Sequence, residues 1–253
     1  MNKDLESLVS WGEDNRTEFE PTKTKMMVIS RKRVPFDPTG IVMLGFPIEV
    51  VDEVKLVGYT IDPKLTWGPM ITALAKKARL RVGALFRMSS MLDAENMKTM
   101  YIAFIRSVLE FGSVQYMGAA QSHLDKLDRI QHTAERIGGF VMSESLSSRR
   151  ESALLGLSLK LLDGAGRGAL QEFAPILEVS SPDPNARQLR KVKHGIRVQD
   201  RTSISSLECF KRSAVGALPS IWDNIPQELL QIGSSKGWRK IHKRCKKAIL
   251  TAA

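Results

Sequence analysis

Residues 53–88 read EVKLVGYTIDPKLTWGPMITALAKKARLRVGALFRM, and the fold turns on how that stretch changes its period. Residues 53–61 are apolar and partly β-branched, which suits a strand. Asp62-Pro63 ends it, because proline cannot donate to a sheet ladder. From Trp67 onward Ile71, Leu74, Ala75, Ala78, Val82, Leu85 and Phe86 recur at three- and four-residue steps, the spacing of one helix face. Lys76, Lys77, Arg79, Arg81 and Arg87 share that helix, so much of its outer face is cationic.

Upstream of this switch, residues 3–12 place Leu5, Leu8 and Val9 on one helical face. Residues 25–30 read as a strand ended by Arg31-Lys32-Arg33, and residues 41–44 and 48–51 flank Gly45-Phe46-Pro47 as a hairpin would. Downstream, Asp93 is placed to cap a helix whose apolar face is Met97, Met100, Tyr101, Phe104, Ile105, Val108 and Leu109. Another helix runs from about Ser122, with Leu124, Leu127, Ile130, Ala134 and Ile137 inward, and stops at Gly138-Gly139. Shorter helical patterns follow at residues 146–155 and 168–177. Residues 180–185, with Pro182 and Pro184, read as a linker. The pattern predicts an α+β fold that is mostly α: a small antiparallel sheet in residues 1–66, a helical body in 67–180 and a basic C-terminal region in 181–253.

Charge marks the same boundary. Residues 185–253 carry 15 Lys+Arg against 4 Asp+Glu, a net of +11, while residues 1–184 balance at 23 of each. So local an excess attracts a polyanion, most often nucleic acid. Phe210, Trp222 and Trp238 are interleaved with it and are able to stack. The other reading is a solvated tail whose charge serves solubility. At 43% hydrophobic and 26% charged residues the chain has the makings of an ordinary core. No uncharged run reaches the 18 or so residues of a membrane span, and no apolar core follows Met1-Asn2-Lys3-Asp4 as in a signal peptide. Two cysteines, Cys209 and Cys245, indicate no disulfide framework. An intracellular protein, nuclear or cytoplasmic and without a membrane partner, is the expectation.

Several motifs stand in a fixed order. Asp4-Leu5-x-x-Leu8-x-x-Trp11-Gly12-x-x-Asn15 precedes Phe19-x-Pro21-x-Lys23-Thr24-Lys25-x-Met27-x-Ile29-Ser30. Lys55-Leu56-Val57-Gly58-Tyr59-Thr60-Ile61-Asp62-x-x-Leu65-Thr66-Trp67 comes next. Ile105-Arg106-Ser107-Val108-Leu109-Glu110-Phe111-Gly112, Leu127-Asp128-Arg129-Ile130-Gln131 and Trp222-Asp223-Asn224-Ile225-Pro226 follow. The set resembles the reverse transcriptases of non-LTR (LINE-type, jockey-like) retrotransposons, from motif D and a primer-grip-like hairpin at the end of the palm (residues 1–66), through a helical thumb or connection (67–180), to an element found near the end of such open reading frames. Val57, Asp223 and Ile225 depart from that family's usual Leu, Asn and Leu. The resemblance implies an RNA-directed DNA polymerase, a nucleotidyltransferase whose partners are an RNA/DNA primer–template and the N-terminal polymerase half.

The family's metal ligands lie in a strand motif and in an aromatic-x-Asp-Asp turn, both upstream of motif D. No Asp-Asp pair occurs in these 253 residues. Two-metal phosphoryl transfer needs carboxylates held close together on a rigid scaffold. The resemblance therefore implies Mg2+ for the complete polymerase, no cofactor for this chain, and no polymerisation by it alone. Two alternatives stand beside this reading: a basic helical nucleic-acid-binding module reused by its host, and an open reading frame whose true start lies upstream.

Single residues take roles on the same basis. Lys23 matches the motif D lysine that approaches the leaving pyrophosphate, a role left vestigial without a triphosphate site; otherwise it is a surface lysine guarding an edge strand. Val57, Gly58 and Tyr59 resemble the primer grip, where glycine permits close backbone approach; the alternative is a glycine bulge. Lys76, Lys77, Arg79, Arg81 and Arg87, with Arg239, Lys240, Lys243 and Arg244 in the tail, are the candidate phosphate contacts, against a merely solvated face. Gly164-Ala165-Gly166-Arg167-Gly168-Ala169 lacks the βαβ setting of a dinucleotide loop, and His242-x-x-Cys245 lacks two further zinc ligands at suitable spacing. Glu13-Asp14 and Asp52-Glu53 read as helix-end and turn residues.

Overall fold

The computed structural model describes residues 1–30, 36–162, 177–179, 196–198 and 212–223. The chain divides into two units, Met1–Met70 and Ile71–Ala253; the sequence pattern had put its boundaries after residues 66 and 180. Helices dominate and the strands are short, in keeping with a mostly α variant of an α+β fold.

In the first unit, helix α1 (Asn2–Asp14) is followed by a 3-10 turn, Pro21–Lys23, and a two-residue strand β1 (Lys25–Met26). The strand expected over residues 25–30 is thus much shorter. The hairpin comes out tighter than expected too. Strands β2 (Val42–Met43) and β3 (Phe46–Pro47) pair antiparallel across a two-residue turn, Leu44-Gly45. Both turn residues have positive φ, 52° and 81°, the geometry whose twist matches that of the flanking strands. Strand β4 (Glu49–Val50) leaves this hairpin and pairs in parallel with β1. The expected third strand proves to be a second hairpin, β5 (Val54–Leu56) and β6 (Tyr59–Ile61), turning at Val57-Gly58. The small antiparallel sheet is therefore a set of two-stranded pieces, one of them parallel. Ile41, Met43 and Ile48 form a core around β2, with Leu5, Val9, Phe19 and Met26 packed against it.

Asp62 closes the first unit. Its Oδ2 accepts from the Thr66 amide and hydroxyl, both at 2.9 Å, and its Oδ1 accepts from the Trp67 amide at 2.9 Å. The carboxylate satisfies the donors of a loop in which Leu65 and Trp67 carry positive φ. Burial raises the Asp62 carboxyl, but those hydrogen bonds outweigh it and leave the group below its ordinary value.

Helix α2 (Gly68–Met88) runs into the second unit. Ile71, Leu74, Ala75, Ala78, Val82 and Leu85 are buried as the periodicity requires, whereas Phe86 is exposed. Helix α3 (Ala94–Met100) starts at Asp93, whose side chain accepts from the Asn96 amide at 2.8 Å as an N-cap should. It continues through a π-helical segment, Tyr101–Arg106, into α4 (Ser107–Leu109) and then the one-turn α5 (Ser113–Tyr116). Helix α6 (Gln121–Gly138) buries Leu124, Leu127, Ile130 and Ala134 and ends at Gly139 in the left-handed region. Helix α7 (Leu146–Leu162) packs on α5. Strands β7 (Leu177–Val179) and β8 (Ile196–Val198) pair antiparallel. Helix α8 (Ala214–Asp223) sets Leu218 and Ile221 against Leu154 of α7.

Two polar devices fix the helical packing. The buried Tyr101 hydroxyl donates to Gln131 Oε1 at 2.9 Å, while Gln131 Nε2 donates to Glu135 at 3.2 Å and to the Glu144 carbonyl at 3.3 Å. Arg149 grips Glu110 through two nitrogens and Glu144 through a third, with Arg106 3.6 Å from Glu110. Gly138 lies so close to the Phe140 ring that an added Cβ would stand 2.4 Å from it. Tyr101 and Phe140 then stack at 5.4 Å between centroids.

Candidate nucleic-acid interface

A surface that holds a polyanion needs cations free of internal partners, on an element without acids. Helix α2 meets both conditions. Its 21 residues contain Lys76, Lys77, Arg79, Arg81 and Arg87 and no Asp or Glu. Lys76, Lys77, Arg79 and Arg87 are exposed and form no ion pair among the described residues. Arg81 differs. It is half-buried, and its guanidinium donates to the Phe104 carbonyl of the π-helical segment.

That contact spans a groove of about 290 Å³. Arg81, Ala84, Leu85 and Met88 of α2 form one wall, and Met100, Phe104 and Ile105 form the other. Lys77 stands one helical turn before Arg81, and Arg87 three residues after Ala84, so both cations border the α2 wall. Phe104 is 53% exposed, although the apolar pattern puts it among the inward residues. Phe104 lies inside the π segment, whose buried residues are Tyr101 and Ile105. Periodicity counted at 3.6 residues per turn cannot reveal this. The groove is the feature the sequence reading missed, and no motif announces it.

The other candidates lie in the first unit. Lys23 ends the 3-10 turn before β1 and is exposed, while its neighbour Lys25 pairs with Glu49 at 3.4 Å. Val57 and Gly58 form the apex of the β5–β6 hairpin, with φ of 49° and 84°, and Tyr59 opens β6. A two-residue turn, and not a bulge, is what glycine serves here. The Val57 side chain is 83% exposed. The strand that follows Lys23 and this apex belong to different ladders. Arg239, Lys240, Lys243 and Arg244 lie outside the described residues, as do the Gly164–Ala169 and His242–Cys245 motifs.

Glu13 and Asp14 end α1, exposed, and Asp52-Glu53 sit in the exposed turn before β5. Among the described residues no three His, Cys, Asp or Glu side chains converge to hold a metal ion. These residues do not fit the Mg2+ pair of a complete polymerase. Among the same residues no helix is long and apolar enough to cross a membrane. No family model, curated protein or solved structure matches the chain.

Proposed function

We propose that this chain is the nucleic-acid-gripping C-terminal part of an RNA-directed DNA polymerase of the non-LTR retrotransposon type, holding a primer–template without a nucleotidyl-transfer centre of its own. The observation that carries the binding reading is α2, which offers four exposed cations with no ion pair among the described residues and no acid over 21 residues. Unpaired cations release the counterions of a polyanion on contact, whereas paired ones must first break a bridge. The polymerase reading rests in addition on the order of the sequence motifs and on the tight hairpin apex at Val57-Gly58.

The test uses the full chain and a variant with Lys76, Lys77, Arg79 and Arg87 all changed to Ala. Affinity for a recessed primer–template, measured against salt, should fall, and the slope of log affinity on log salt should shrink by about 0.9 for each phosphate contact removed. An unchanged slope would remove α2 as the contact surface. Wild-type affinity should also favour the recessed primer–template over a blunt duplex. Equal affinity would leave a plain basic binding module and withdraw the polymerase assignment.

A further inference from the structure

We infer that the groove between α2 and the π-helical segment is a seat for an unpaired base of single-stranded nucleic acid, with Phe104 as its stacking face. This rests on the binding reading above and adds to it the kind of nucleic acid held. Three observations converge. The walls are apolar except for Arg81, whose guanidinium is turned to the Phe104 carbonyl, so the cleft itself offers no fixed site for a phosphate. Phe104 lines the groove with an aromatic ring and is 53% exposed. The exposed Lys77 and Arg87 border the α2 wall and form no ion pair among the described residues.

An apolar cleft with an aromatic wall, flanked by free cations, matches the way single strands are held elsewhere: phosphates track the charge while bases stack on rings. Duplex bases are stacked on each other and cannot enter such a cleft without being unpaired, at a cost of a few kcal/mol. The groove therefore discriminates single strand from duplex, which the cations by themselves do not. Its volume, about 290 Å³, stands at the lower end of the range for small-molecule sites, in keeping with one base and not a longer stack. A protein helix is the less favoured occupant, because it would need acidic residues to meet Lys77 and Arg87 as well as an apolar stripe.

The test compares a single strand of about fifteen nucleotides, within the usual site size, with a blunt duplex of the same length. It uses the full chain and three variants: Phe104→Ala, Phe104→Leu, and Lys77→Ala with Arg87→Ala. Phe104→Ala should weaken single-strand binding about tenfold, the stacking contribution of one base, and leave duplex binding unchanged. Phe104→Leu keeps apolar bulk but no π face, and should lose most of the same affinity. Removing the two cations should weaken both ligands. A single strand carrying 5-iodouracil should photo-crosslink at Phe104.

If the cation variant weakens both ligands while neither Phe104 variant changes anything, the base seat is wrong and the binding reading stands. If no variant changes anything, α2 is not the contact surface and both fall. Equal losses for single strand and duplex on Phe104→Ala would also overturn the seat. So would self-association of the chain that Phe104→Ala abolishes while single-strand affinity holds, since the groove would then be a protein contact.

Discussion

Residues 1–70 and the helical unit that follows are built on different principles. Among the described residues the first buries four apolar side chains, Ile41, Met43, Ile48 and Met70, and the second buries twenty-three. The first unit also leaves Trp11, Phe36, Phe46 and Leu56 half or more exposed. Its shape comes instead from backbone turns: two hairpins with paired positive-φ residues, and a loop knotted by Asp62. The helical unit takes its shape from apolar stripes, with a few polar side chains fixing register, chiefly Gln131 and Arg149. Loss of apolar packing and loss of turn chemistry should therefore damage different halves of the chain.

The largest test falls on Arg149. Changing it to Met leaves Glu110 and Glu144 without their main partner while both stay largely buried, 27% and 22% exposed at the side chain. Stranding partly buried carboxylates in this way should cost about 3 kcal/mol, read from the midpoint of urea unfolding. Hydrogen exchange sharpens the comparison, because protection should drop in α4, α6 and α7 and hold in the β2–β3 and β5–β6 hairpins. A drop of equal size in both units would break it. Adding Glu144→Met to the same variant should recover part of the loss, since the cost lies in uncompensated charge, while Glu110 keeps Arg106 at 3.6 Å.

The two halves also differed in how far their sequence could be read. Helix α2 and helix α6 were legible from Ile71, Leu74, Ala78 and Leu124, Leu127, Ile130, because one face buried at regular steps leaves a periodic trace. The caps at Asp93 and Gly139 were legible for an equally local reason: one side chain or one glycine decides them. Strand pairing was not. Two-residue strands leave no alternation to detect, so the parallel match of Lys25-Met26 with Glu49-Val50 could not be seen in advance. The positive φ of Leu44 and Val57 was hidden as well, since both are residues that normally avoid it. Of the candidate site, the cations on α2 were read directly from their spacing, but Phe104, counted inward by its apolar pattern, is 53% exposed and lies in a π segment that no residue signals.

Asp62 supplies the middle-sized test, and it tests the turn-built half. Asp62→Asn keeps one acceptor and loses the charge that takes three donors, which should destabilise the first unit by about 1–2 kcal/mol at pH 7. The pH dependence follows from the direction of the shift. Folding lowers the carboxyl, so its stabilisation is complete above the ordinary carboxylate range, near pH 4, and disappears as pH falls through the lower folded-state value. Wild type should therefore lose stability more steeply than Asp62→Asn below about pH 4, with the two converging in strong acid. Urea midpoints at a series of pH values measure this directly. Parallel acid limbs would mean that the loop does not draw on the charge.

The smallest effect should be a gain, at Val57. A β-branched residue at φ 49° is held in a region it disfavours, next to Gly58 at 84°. The turn type that this geometry defines prefers Asn-Gly or Asp-Gly, because a short polar side chain tolerates the left-handed region and hydrogen-bonds locally. The Val57 side chain is 83% exposed, so little packing is lost on its removal. Val57→Asn should then stabilise the β5–β6 hairpin by about 1 kcal/mol, seen as slower hydrogen exchange over residues 54–61 with no change in α6. Gly58→Ala should do the reverse, by forcing a Cβ into the same region. A loss of protection on Val57→Asn would show that the valine is retained for its own contacts. The strain at this apex would then be offset by contacts of the valine within the chain, and not reflect an imperfect sequence for the turn.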